Sequence, residues 1–437
     1  MPSNQLSFSG TKEVYAESMF RSAVLRWLWT FYTQRLTPAG RWFLWPTLII
    51  TSYGSTSLTL QTYVLFAYAA GLWAVALAGL LLCRPRVLFR ARHADRVCAG
   101  EVLPVEIEVE NRGGLAGAGL NVLPHRLPAE IDAEPENGVE LPRLTGHEKA
   151  RVELGLACRR RGVYCLHGFR VETSLPLGLL RAHQVVTHEK PLVVYPQFHP
   201  LARLRIPTGR RLQPGGVALA SNVGDSFEYV GNREYHEGDN VRDLDWRATA
   251  RLDRPIVREY REEYFLRTAV ILDTHVPRPD MRSRLSGAKN AERDSFERAV
   301  SVCAAVSDYM ARQEYLVDIF AAGPNLYHLT AGRSLAYLDQ ILDILACVNS
   351  TTEEPFATIE PELMENLAQI TSIVCVFLDW NAARRAFIRR LREHGAGLKV
   401  IVVRDAPCTL DPAGDSDLAG AIPVIGKGAF DAGVEEL

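Results

Sequence analysis

Residues 42 to 82 form a run of 41 with no Asp, Glu, Lys, Arg or His. A single straight helix of that length would reach about 60 Å at ~1.5 Å per residue, twice the ~30 Å hydrocarbon thickness of a bilayer. Two crossings resolve the excess, so the run predicts a transmembrane helical hairpin, with helices at about 38–56 and 62–82. The turn falls in the polar, uncharged stretch from Gly54 to Gln61. Tyr63 to Leu82 meets the length and composition of a crossing. The earlier segment is shorter and carries Pro46, so a re-entrant or interfacial course stays open for it. Trp42, Trp45, Tyr53 and Tyr63 lie where headgroup-level aromatics are expected.

Charge sets the expected orientation. Lys12, Arg21, Arg26, Arg35 and Arg41 precede the run, and Arg84, Arg86, Arg90, Arg92 and Arg96 follow it; the connector has no basic residue. The positive-inside rule then places both ends, and the bulk of the chain, in the cytoplasm. More than 40 residues precede the end of the first apolar run, which disfavours a cleaved signal peptide. Upstream, AVLRWLWTFYTQRL mixes aromatics and arginines; it reads either as an interfacial amphipathic helix or as a helix packed on the cytoplasmic part.

The chain has 437 residues, 47% apolar and 23% charged, an ordinary globular balance with room for two or three domains. Its net charge of -2 gives no electrostatic reason to expect a nucleic-acid partner. Eight cysteines are scattered without a C-x-x-C pair, which argues for free thiols in a reducing compartment. Cys303, Cys347 and Cys375 lie in apolar stretches, as small buried hydrophobes do.

From about 97 to 197 the pattern becomes short alternating runs broken by Gly and Pro. VLPVEIEVEN, KARVELGLACRR, GVYCLHGFRVETS and KPLVVYP each read as strands, and together they predict an antiparallel β-sandwich of immunoglobulin-like size. His125, His147, His167, His183 and His188 are too irregularly spaced to suggest a metal site. A segment from 198 to 265 follows, and residues 266–437 alternate strand and helix, which predicts an α/β domain with a parallel sheet. Strands are expected over 266–272, 315–321, 372–378 and 398–403, and helices over 291–312, 334–348 and 382–394.

The densest constellation runs from Phe227 to Tyr264. Gly238-Asp239 reads as a tight turn, and Asp243 and Asp245 straddle Leu244 ahead of Trp246. Arg242, Arg247, Arg251 and Arg254 interleave with these acids, a composition suited to two-point guanidinium–carboxylate pairs. Three readings compete. Asp239, Asp243 and Asp245 could offer oxygens to a metal, but the arginines neutralise them more cheaply. An acid–base pair lacks a supporting nucleophile or histidine. The remaining reading is a structural clasp joining two domains, with a partner-docking surface as its rival.

The string Arg233-Glu-Tyr235-His-Glu-Gly238-Asp239-Asn-Val-Arg242-Asp-Leu-Asp245-Trp246-Arg-Ala-Thr-Ala250-Arg251 resembles the signature of the family called domain of unknown function 58. Arg160-Arg161-Gly162-Val-Tyr164, Leu175-Pro-Leu-Gly178-Leu179-Leu-Arg181 and Val193-Val-Tyr195-Pro196 are similar to it too. One departure is Leu175, where the family's turn usually has Asp before Pro176. The resemblance implies a bacterial inner-membrane protein with a von Willebrand A-like (Rossmann-type) C-terminal domain. It also implies a MoxR-type AAA+ ATPase as partner, in the assembly or maturation of envelope proteins. A von Willebrand A adhesion site begins Asp-x-Ser-x-Ser, whereas here the chain reads Asp273-Thr-His275-Val-Pro277. Both serines are missing, so Asp273 and Asp379 are the only candidates to contribute to a metal, and they read equally as loop caps or arginine partners.

Enzyme signatures such as G-x-x-x-x-G-K-[ST], H-E-x-x-H and G-x-S-x-G do not occur. The expectation is therefore a membrane-anchored cytoplasmic interaction or scaffold protein, neither an enzyme nor a cofactor binder. A metal-dependent adhesion module and a hydrolase built on the acidic cluster are the alternatives.

Overall fold

A computed structural model describes residues 23–54, 60–113, 119–207, 227–236, 239, 241–262, 267–277, 288–313, 315–322, 326–330, 335–367 and 369–437. The chain divides into two compact units, Met1–Tyr195 and Pro196–Leu437.

The first unit opens with helix α1 (Ala23–Thr30), which widens into a π turn over Phe31–Arg35. Helix α2 (Pro38–Gly54) continues through Pro46, and α3 (Leu60–Leu82) follows. The two touch through Trp73, whose indole N–H donates to Thr47 Oγ1 at 3.2 Å and whose ring lies 6.0 Å from that of Phe43. Among the described residues one helix, Tyr63–Leu82, is long and apolar enough to cross a membrane. Its side chains, and those of α2, stay largely exposed: Trp45, Ile49, Tyr68, Leu81 and Leu82 all face outward.

The rest of this unit is β-rich. Strands β1 (Val87–Arg92), β3 (Val102–Asn111), β5 (Ile131–Glu134) and β7 (Lys149–Cys158) form one sheet in the order β1-β3-β7-β5. A second sheet has the order β2-β9-β8-β4-β6, from β2 (Arg96–Cys98), β4 (Leu120–Pro124), β6 (Val139–Glu140), β8 (Gly162–Thr173) and β9 (Ala182–Tyr195). Along β3 the alternation buries Leu103, Val105, Ile107 and Val109. Those residues share one core with Leu154 and Leu156 of β7, Phe169 and Val171 of β8, and Leu192 and Val194 of β9. Pairing is antiparallel except between β2 and β9, where the short strand runs parallel to the end of β9. A purely antiparallel expectation misses this because a three-residue strand has too little pattern to declare its direction.

The second unit carries a two-stranded antiparallel ribbon, β10 (Phe227–Glu234) with β11 (Ile256–Glu262), and a short helix α4 (Trp246–Leu252) between them. A six-stranded sheet follows, in the order β14-β13-β12-β15-β16-β17. Its strands are β12 (Arg267–Leu272), β13 (Leu316–Ala322), β14 (Leu326–Thr330), β15 (Ser372–Phe377), β16 (Gly397–Val403) and β17 (Val424–Ile425). All neighbours are parallel except β14, which returns antiparallel to β13 as an edge strand.

Ala269, Ile271, Cys375, Phe377, Val400 and Val402 pack on α7 (Phe356–Asn366) and α8 (Ala382–Glu393). Helix α5 (Ala288–Arg312) crosses β12, β13, β15 and β16, with α6 (Leu335–Cys347) beside it. Strands covered on both faces explain the continuous apolar runs RTAVIL and SIVCVF. Within those layers Cys303 and Cys375 are fully buried, whereas Cys347 at the end of α6 is only half-buried. The edge strand β14 and helix α7 lay outside the pattern reading: one is short and antiparallel, the other begins after Pro355 and contains Pro361.

Candidate functional site

Two places gather the residues singled out in the sequence. The first is the connection from β10 to β11. Arg233, near the end of β10, grips Asp239 at two points: one terminal guanidinium nitrogen donates to Oδ2 at 2.7 Å and the other to Oδ1 at 2.8 Å. Asp239 Oδ2 also accepts from the His236 backbone N–H at 2.8 Å, and the Asp239 N–H donates back to the His236 carbonyl. The turn thus closes around one carboxylate. The hydrogen bonds from Arg233, then from the His236 amide, hold this carboxyl far below the usual range. Gly238 lies outside the described residues, while the Tyr235 N–H donates to the Pro255 carbonyl on the other limb.

Asp245 does the second job. It is the N-cap of α4, accepting from the Arg247 and Ala248 amides at 3.1 Å each, which satisfies donors the helix start leaves open. Its other oxygen accepts from Asn232 Nδ2 at 3.2 Å and faces Arg258 Nε at 3.6 Å. The Ala248 amide foremost, with Asn232 next among the stabilising contacts, lowers its pKa. Thr249 Oγ1 accepts from the Ile256 amide, Glu234 pairs with Arg254, and Asp253 closes the helix in the left-handed region at φ 54°. Asn232, Thr249 and Arg258 are partners that composition alone did not single out; the ribbon brings Asn232 and Arg258 to Asp245, while Thr249 ties α4 to Ile256.

These pairs all run within residues 232–258, so the acids of the motif shape the segment itself. What the segment turns outward is different in kind. Trp246 is 68% exposed, Val241 and Leu252 are also exposed, and Arg242, Arg247 and Arg251 lie on the surface with them.

The second place is the carboxyl edge of the six-stranded sheet, where the order reverses between β12 and β15. Ligands of such sheets bind at this position. Asp273 follows β12 there and is 0% exposed. Its Oδ1 accepts from the His275 amide at 3.0 Å; its Oδ2 accepts from the Leu378 amide at 3.1 Å and from Arg384 Nε and Nη2 at 3.0 and 2.9 Å. Arg384 is 1% exposed, lies over the Phe356 ring and approaches Glu354 at 3.5 Å. A guanidinium built into the fold therefore stands beside the carboxylate that a divalent cation would need.

Asp379, two residues beyond β15, serves another loop. It accepts from the Trp380 and Thr409 amides and from the Thr409 hydroxyl, and faces Arg404 at 3.3 Å. The two acids thus bind different partners. Among the described residues no group of three or more His, Cys, Asp or Glu side chains is placed to hold a metal ion. Arg384 escaped the sequence reading, although a signal existed: Asn381 caps α8, so Arg384 opens a helix that starts at the same sheet edge as Asp273.

These features define a class: a β-rich unit preceded by an apolar helix, then an α/β unit with an arginine–aspartate ribbon ahead of its sheet. Residues 231–421 of the chain match the family described as "Protein of unknown function DUF58". The chain is 27% identical over 277 residues to the uncharacterized protein YeaD of Bacillus subtilis (strain 168). That match covers 57% of this chain and 63% of YeaD, so it spans less than two thirds of the relative's length. Among solved structures, the CARDB domain of a Pyrococcus furiosus protein, crystallised in complex with di-metal ions, is 13% identical. It covers 25% of this chain and 94% of its own at a TM-score of 0.17, too slight a likeness to carry an argument.

Proposed function

We propose that the protein is a membrane-anchored cytoplasmic interaction or scaffold protein of the bacterial inner membrane. In this reading α2 and α3 form a transmembrane hairpin and the β-rich part is an immunoglobulin-like sandwich. The second unit is then von Willebrand A-like, a reading supported by its strand order with one antiparallel edge strand. The partner that the family resemblance implies is a MoxR-type AAA+ ATPase acting on envelope proteins.

The observation that carries the interaction reading is the outward Trp246 among surface arginines on a helix fixed by the Asp245 cap. Tryptophan and arginine are the residues most enriched where protein interfaces concentrate their binding energy. Asp239, Asp245 and Asp273 are held by internal donors, an arrangement that favours structural roles over catalysis or metal binding. Purification of the full chain from native membranes after crosslinking tests the reading. An AAA+ ATPase should be recovered with the natural protein and lost with Trp246→Ala at unchanged melting temperature. Equal recovery by both would remove the docking role of this helix, and failure to recover any AAA+ ATPase would remove that partner.

A further inference from the structure

The loop between β8 and β9, residues 174–181, meets the apolar helices. Its far limb is stitched to the chain just before α2. The Thr37 amide and hydroxyl donate to the Leu179 carbonyl at 3.2 Å each, and the hydroxyl donates to the Gly178 carbonyl at 2.6 Å. The Arg181 amide donates to the Arg35 carbonyl at 2.7 Å. Leu180, Leu36 and Ala76 of α3 are buried together.

The helices make room for this loop with glycine. A Cβ on Gly40 would lie 2.0 Å from the Leu179 carbonyl oxygen, and one on Gly79 would lie 2.3 Å from Pro176 Cδ. Gly79 sits three residues before Leu82, the end of the apolar helix, so the contact lies about 5 Å inside the apolar run at ~1.5 Å per residue. At that level the loop still presents large apolar side chains: Leu175 is 41% and Leu177 is 39% exposed. Leu81 and Leu82, two and three residues beyond Gly79 on α3, are exposed as well. Arg35 lies close enough to Arg84 that, after burial, Arg84 is the next cause of its lowered pKa. Arg86 is exposed on the same connection. Apolar side chains edged by arginines are what the cytoplasmic interface of an anionic bilayer accepts.

We propose that residues 174–181 form a third membrane contact, a finger that inserts Leu175 and Leu177 into the lipid interface beside α3. The finger would hold the β-rich region at a fixed attitude to the bilayer rather than on a free tether. It also gives a physical role to the Leu175 departure: an Asp at this position would place a carboxylate at the edge of the hydrocarbon. The proposal rests on the membrane reading of α3.

The test uses the full chain in vesicles of phosphatidylethanolamine and phosphatidylglycerol. A benzophenone amino acid replaces Leu177, Tyr68 or Val163 in turn, and lipid adducts are read by mass spectrometry. Tyr68 is 71% exposed midway along α3, and Val163 is exposed on β8 at the other end of its strand. Lipid adducts at positions 68 and 177, with none at 163, are the expected result. Adducts at 68 but not at 177, or protein adducts at 177 in place of lipid, overturn the finger and keep the crossing. Adducts at 177 without 68 overturn the crossing, and with it a finger that acts beside α3, and adducts at neither overturn both. Leu177→Asp provides the second variant: the lipid adducts formed from position 175 should disappear, whereas their persistence overturns the proposal.

Discussion

At the residue scale, the consequential contact is Asp273 with Arg384. Two ions removed from water are tolerated because each satisfies the other's donors or acceptors, and breaking such a pair leaves an uncompensated buried charge. Arg384→Met should cost about 3–5 kcal/mol, read by chemical denaturation of the full chain in detergent. A loss under about 1 kcal/mol would mean that water reaches Asp273 and that the pair is not structural. The same geometry predicts that millimolar Mg²⁺ leaves the melting temperature of the natural protein unchanged. Gly79→Val poses the converse problem of excess volume. Its side chain must enter the space of Pro176, an overpacking worth about 1–3 kcal/mol that should appear as faster proteolysis of the β8–β9 loop.

At the scale of elements, the β10–β11 connection separates shape from contact. Asp239→Asn and Asp245→Asn should each lower the melting temperature, because one loosens the Arg233 turn and the other weakens the cap of α4. A hydrolase built on these acids would instead lose turnover at unchanged stability. Strand β9 makes a pH prediction. His183 is held neutral by burial first, then by Arg35, Arg170 and Arg84, and its pKa falls from 6.5 to about 4. The unfolded chain therefore binds the extra proton between these values, so stability is full above pH 6.5 and declines as pH falls toward 4. His183→Gln should flatten the melting-temperature profile across that window, and an unchanged slope would assign it to another group.

At the scale of the whole molecule, much of the architecture was legible because burial follows periodicity. The charge-free run became two helices, Pro38–Gly54 and Leu60–Leu82, and the alternating VLPVEIEVEN became β3. The apolar runs near 266, 315, 372 and 398 became the parallel strands β12, β13, β15 and β16. Short pieces were illegible for the complementary reason: β2, β14 and β17 have too few residues to show a period, and α7 carries an internal proline. Around Asp239 and Asp245 the described pairs lie within residues 232–258, where the fold of the ribbon rather than composition chose them.

Local pattern by itself determined the apolar run of 41 residues, the change from period two to alternating strand and helix, and the family string from Arg233 to Arg251. Each is written in neighbouring residues, where spacing dictates which face is buried. Tertiary structure alone decided the partners. Arg384 reaches Asp273 across 111 residues of chain, Thr37 reaches Gly178 across 141, and Leu175 comes to lie beside Gly79. A charge or a glycine advertises that it needs a partner, but which group arrives depends on how the chain returns, and no local spacing encodes that return.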